Sequence, residues 1–314
     1  MGVINMSDNS TPHATHESGA NQAGSFCISP KPPLTYRQQV DLMVSRGLLV
    51  KDEADAALKL SEVNYYRLRG YWLTYERDGR FMPSTTFEMI WDTYRFDAEF
   101  RNLIWSLISP VEIKARTSLA YHMSHECGPL SYGDAGMFRD ANRHAKSIAS
   151  IRREVERAKR DRVPCVLHNL EKYGDLPIWA AVEIMSMGTV SQLYGNLDPS
   201  QCGAQKAIAA DFGVKPFLLK SWLRHLTYVR NICGHHSRLY NRIMTVRPTL
   251  MRADARLDGN KELPTIVVLK RIYERLWPEA WPTAVGRLAE IIEHHPSVSV
   301  APLGFPTNWV EVIR

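Results

Sequence analysis

The chain has 314 residues, of which 45% are hydrophobic and 23% charged, with a formal net charge of +6 at pH 7. That length can bury one large core or two small ones, and the composition is that of an ordinary globular protein. No apolar run reaches the ~18 residues that a bilayer span requires. The opening MGVINMSDNSTPHATHESGA has no charged start followed by an apolar block, so neither a membrane anchor nor a secretion signal is expected.

Residues 1–30, rich in Ser, Asn, Thr, Gly and His, are expected to be a mobile tail. Structure is expected to start near Lys31-Pro32-Pro33. Thr35 with Gln38 reads as a capping box opening a helix that stops at Gly47. A second helix follows Asp52 and leads into NYYRLRGYW, residues 64–72. Thr85 with Glu88 reads as another capping box. Beyond it Phe87, Trp91, Tyr94, Ile104, Leu107, Ile108 and Val111 recur at helical spacing, which predicts one long helix kinked near Pro110 and running towards His125. Gly128-Pro129 breaks it.

The basic stretch 139–162 is a further helical candidate. Pro177 should open a helix ending near Gly188, with a short restart at Thr189. Pro216 should open a helix burying Leu219, Trp222, Leu223, Leu226, Val229 and Cys233. Two helical stretches broken at Pro278 and Pro282 follow. Only PTIVVL, residues 264–269, has strand-like clustering, and it could equally start a helix. The expectation is an all-α fold: a tail (1–30), an N-terminal helical segment (31–80), a helical core (81–245) and a C-terminal helical segment (246–314). Trp179, Trp222 and Leu226 are expected in the core.

Cys27, Cys127, Cys165, Cys202 and Cys233 are scattered, odd in number and never spaced as CxxC. Disulfides and a zinc knuckle are therefore not expected, and a reducing cytoplasm is.

Charge is distributed unevenly. From Phe212 to Ala253 there is no Asp or Glu, while Lys215, Lys220, Arg224, Arg230, Arg238, Arg242, Arg247 and Arg252 fall within the stretch. Concentrated positive charge attracts polyanions, and nucleic acid is the commonest in a cytoplasm. A second run, 139–162, sets nine Lys/Arg against four Asp/Glu. It reads equally well as a solvated helix face. Phosphate-binding glycine loops, HExxH and GxSxG are all missing, and no carboxylate lies near His235 and His236 in sequence, so neither a metal nor a cofactor is expected.

What remains is YVRNICGHHSRLYNR, residues 228–242. Cutting RNA through its own 2′-hydroxyl needs a base for that proton, a proton for the leaving 5′-oxygen, and positive charge on the phosphate. Histidine, with an unperturbed pKa of ~6.5, suits the proton transfers. Arginine suits the phosphate oxygens. On a continuous helix Asn231, His235 and Arg238 would share a face, so that Asn231 could hold the His235 imidazole. Arg230 would lie roughly 140° away, an angle that a loosened helix at Gly234 could close. An arginine followed by a histidine after four to six intervening residues also occurs at Arg116/His122, Arg139/His144, Arg162/His168 and Arg287/His294. Asn231 and the absence of acids single out Arg230. Arg67 and Arg69 alternate with aromatics in a way that could clamp RNA, although Tyr65, Tyr66, Tyr71 and Trp72 more simply pack against the long helix.

WLRHLTYVRNICGHHSRLYNR closely resembles the signature of the Abi-type abortive-infection family, the AbiD/AbiF group. KPPLTYRQQVDLMVSRGLLV, NYYRLRGYW, FDAEFRNLIWSLISPVEIKARTSLAYHMS, WAAVEIMSMGTVSQLYGNL and LGFPTNW are similar to it too, in order from about Lys31 to Trp309. Arg69 stands where relatives often carry a small residue. The family is similar to the HEPN superfamily of helical ribonucleases. The resemblance implies a HEPN-like helical bundle and metal-independent RNA cleavage leaving a 2′,3′-cyclic phosphate. It implies catalysis by Arg230, Asn231 and His235, with His236 the less favoured candidate for the catalytic histidine, and a composite site in a homodimer. RNA contacts would come from His236, Arg238, Arg242, Arg224, Arg67 and Arg69. A small RNA holding such a toxin in check follows by analogy only. The alternatives are a non-catalytic module that sequesters a small RNA, and a structural role for the motif at a dimer interface.

Overall fold

The computed structural model describes residues 32–314; the expected tail lies outside them. Helix α1 (Tyr36–Ser45) ends before Gly47, whose φ of 95° reverses the chain. Asp52 caps α2 (Glu53–Glu62) by accepting from the amides of Ala54 and Asp55. Asn64 caps α3 (Tyr65–Trp72) in the same way. Strands β1 (Glu76–Arg77) and β2 (Arg80–Phe81) then form a hairpin turning on Asp78 and Gly79, both with positive φ. The sequence reading had no strand here.

Helix α4 (Phe87–Cys127) is 41 residues long, about 60 Å, and passes through Pro110. Its cap is Thr86, which accepts from the Met89 amide, and not Thr85, whose hydroxyl donates to the Met82 carbonyl. Helices α5 (Ala141–Arg160) and α6 (Pro164–Tyr173) follow. Helix α7 (Ile178–Ile184) ends four residues earlier than expected, because Ser186 caps a new helix, α8 (Met187–Asn196), by accepting from the Thr189 amide. Then come α9 (Ala204–Asp211), α10 (Pro216–Gly234), α11 (Leu263–Leu276), α12 (Trp281–His294) and the short α13 (Trp309–Ile313). Residues 264–269 are helical, in α11. The fold is all-α apart from the hairpin.

Residues 36–314 form one compact unit. Its larger apolar cluster surrounds α4 and draws on α7 to α12; a smaller one joins α1, α2, α3 and the first turns of α4. The ridge expected on α10 is buried, and Trp222 also donates to the Thr249 carbonyl at 2.8 Å. Trp179, in contrast, is 47% exposed, because the buried side of α7 runs through Ile178, Ala180, Ala181 and Val182. Of the α3 aromatics, Tyr71 and Trp72 are buried, Tyr65 packs edge-on against Trp72, and Tyr66 is exposed.

Cys127 and Cys202 form a disulfide, correcting the expectation that none would. The packing of α9 against α4 brings the end of α4 and the lead-in to α9 within 6.1 Å, Cα to Cα, although 75 residues separate them in sequence. No local spacing pattern reports such a pair.

Candidate functional site at the end of helix α10

Pro216, with its ring-fixed φ and no amide to satisfy, starts α10, and the buried ridge holds the helix against α4, α8 and α9. The helix stops at Gly234. His235 is the C-cap, and His236 has a φ of 52°. The Ser237 amide donates to the Ile232 carbonyl at 2.9 Å and the His236 amide to the Cys233 carbonyl at 3.0 Å, which is a Schellman closure. The usual residue at that left-handed position is glycine; here it is His236. The single helical face expected for Asn231, His235 and Arg238 is therefore interrupted. Asn231 and His235 are joined through the backbone, with the His235 amide on the Asn231 carbonyl at 3.0 Å, and both side chains are exposed. The expected grip of the Asn231 side chain on the imidazole is not formed.

Arg230 faces α4. Its guanidinium sits 4.9 Å from the centre of the Trp105 ring, and its Nε is 3.4 Å from Glu112. Glu112 also pairs with Arg116, which donates to the Val182 carbonyl. Trp105, Ser109, Glu112, Ile113, Arg116 and Arg230 line one cleft. A Cβ on Gly234 would come within 2.9 Å of the Trp105 ring. Gly234 thus serves close packing, and Trp105 spans the last turn of α10 from Arg230 to the residue before His235. Two arginines share one carboxylate here, leaving a net positive charge at the cleft. The stretch that is acid-free in sequence is not acid-free in space.

The loop after α10 is tied down by Asp97. This fully buried carboxylate accepts from the amides of Leu239 (3.0 Å) and Tyr240 (2.6 Å), from the Tyr71 hydroxyl (2.6 Å) and from Arg101. Burial raises the pKa of Asp97 against the opposing pull of Arg101.

The remaining basic residues separate. Arg67 donates to the His236 carbonyl, placing a cation at the negative end of α10. Arg238 crosses α3 at Gly70, where a Cβ would lie 3.1 Å from its side chain, and donates to the Tyr240 carbonyl at 2.6 Å. Arg242 donates to the Arg238 carbonyl at 3.1 Å and to the Tyr228 hydroxyl at 3.3 Å. Arg69 is exposed on α3. Arg224 lies about three turns before the end of α10, in a different cleft. Sequence reasoning missed Trp105, Glu112 and Arg116; the one signal available was their regular spacing on a long helix. Among the described residues no group of three or more His, Cys, Asp or Glu is placed to hold a metal ion, and no helix is long and apolar enough to cross a membrane.

Comparison with curated proteins finds no match, and neither does comparison with solved structures. The family model described as "Abi-like protein" matches residues 58–241, which is 184 of the 314 residues and includes the end of α10, α4 and Asp97. The N-terminal and LGFPTNW segments fall outside the matched range. By that match over more than half its length, the chain belongs to the Abi-like protein family.

Proposed function

We propose that this chain is a phage-defence toxin of the HEPN type that cleaves RNA without a metal, using Arg230, Asn231 and His235. Membership of the Abi-like family suggests abortive infection and phage defence. The ribonuclease mechanism is supported by the last turn of α10, where an exposed imidazole leaves the helix one turn beyond a half-exposed guanidinium that lines a cleft. His235 would move the proton between the 2′-hydroxyl and the leaving oxygen, and Arg230 would meet the charge growing on the phosphate. His236, Arg238, Arg242, Arg67 and Arg69 would supply backbone contacts, those of Arg67, Arg238 and Arg242 requiring release of bonds they now make to carbonyls.

A second copy would complete the site. Trp105 and Ile113, 39% and 61% exposed, flank the Arg230 cleft and offer a partner copy an apolar surface to cover. The test uses purified protein with single-stranded RNA in EDTA, alongside its mass in solution. Cleavage by a dimer supports the reading. Salt-sensitive RNA binding with no product would favour the alternative, a module that sequesters a small RNA, and strict metal dependence would remove the proposed mechanism.

A further inference from the structure

A second concave site lies on the other half of α10. Arg143 and Lys146 from α5, Lys220 and Arg224 from α10, and Ser191, Gln192, Gly195 and Asn196 from α8 line one cleft. Four cations converge there and no carboxylate is among the lining residues. Asp140 touches only one of them, pairing with Arg143 at 3.2 Å while it caps α5. Gly195 makes the arrangement fit: a Cβ there would sit 3.2 Å from the Lys220 stem, so glycine lets Lys220 lie flat across α8. Partial loss of water around the ammonium first, and then the charges of Arg139, Arg143 and Arg224, lower the proton affinity of Lys220. Positive charges crowded against one another at a cost call for an anion. Ion pairing within the fold offsets little of this charge.

The cleft also has a direction. Lys220, Arg224, Asn231 and His235 are spaced 4, 7 and 4 residues apart, which keeps all four within an arc of roughly 60° on an ideal helix. All four are exposed, and they run along one side of α10 from the cleft to the helix end, about 16 Å from Arg224 to His235. We propose that the cleft of Arg143, Lys146, Lys220 and Arg224 is a phosphate-backbone site for single-stranded RNA, holding the strand at a distance from the point of cleavage. It reads charge and not bases, so it contributes affinity without sequence preference. In naming RNA the inference rests on the ribonuclease reading.

The experiment is salt-dependent anisotropy of a fluorescein-labelled single-stranded RNA on the full chain carrying His235→Ala, so that the strand stays intact. Adding Lys146→Glu with Lys220→Glu should weaken binding roughly tenfold or more and flatten the log–log salt slope by about 0.7 for each lost phosphate contact. Lys146→Arg with Lys220→Arg should restore both. Unchanged affinity and slope in the Glu pair would overturn the proposal. So would tight binding of adenosine monophosphate or inorganic phosphate, abolished by the Glu pair while RNA binding persisted; the cleft would then be a small-anion pocket. Cleavage by the chain with His235 intact is scored separately. A protein that binds RNA through the cleft but never cuts it refutes the ribonuclease reading and leaves the cleft standing.

Discussion

Arg230 and Glu112 form an ion pair across the cleft between α10 and α4, with 3.4 Å between Nε and the carboxylate, and Glu112 is shared with Arg116. On the proposed mechanism Glu112 would be a positioning residue, since it pairs with Arg230 beside Trp105 without neutralising both arginines. Glu112→Gln leaves two guanidiniums facing each other without their common anion. Cleavage should fall roughly tenfold, about 1.4 kcal/mol of transition-state stabilisation, with Glu112→Asp recovering part of it. Single-turnover cleavage assays check this, and a Gln variant as fast as wild type would detach Glu112 from the mechanism.

Asp97 holds the loop that carries Leu239 and Tyr240 while pairing with Arg101. Asp97→Ala leaves a buried guanidinium without its partner and two amides unsatisfied, which should cost about 3–5 kcal/mol. Chemical denaturation measures it; a loss under about 1 kcal/mol would mean that the loop is held elsewhere.

Two buried groups give opposed pH dependences. Burial lowers the pKa of His225 from 6.5 to about 4, against the pull of the Val246 carbonyl. Its folded value lies below its unfolded one, so its contribution is complete above 6.5 and is lost as pH falls from 6.5 towards 4. Burial raises Glu262 from 4.5 to about 8, although it accepts the Arg242 amide at 2.9 Å. The unfolded chain releases that proton first, so stability declines as pH rises from 4.5 to 8. Denaturation across pH should therefore show a rise with pH unmasked in Glu262→Gln and a fall unmasked in His225→Asn. Parallel profiles for the two variants would contradict these assignments.

His236 closes α10 in a left-handed conformation that costs a non-glycine residue about 1 kcal/mol. His236→Gly should raise stability by about that amount, as read by thermal unfolding. A drop would mean that the imidazole makes a compensating contact.

The helices were legible where pattern and caps agreed. Pro216 and the ridge from Leu219 to Cys233 gave α10 its start and its buried side, and Asp52 gave α2 its cap. The end of α10 was misjudged because the periodic pattern continues through Arg238, while the backbone turns left-handed at His236, a position where histidine carries no turn signal. The hairpin was missed although Asp78-Gly79 is a strong turn pair, since strands two residues long leave no alternation to see. Glu112 and Asp97 were invisible as site neighbours, because more than a hundred residues separate them from Arg230 and Leu239 and only the packing of α10 on α4 unites them. The same holds for Cys127 and Cys202.

Proton transfer by the imidazole at the end of α10 is tested by mapping RNA ends in cells expressing wild type or His235→Ala. New 5′-hydroxyl ends in the wild type that vanish in a folded His235→Ala protein are the predicted result. The same ends appearing at the wild-type rate in the variant would contradict the assignment of His235 as the proton-transfer group.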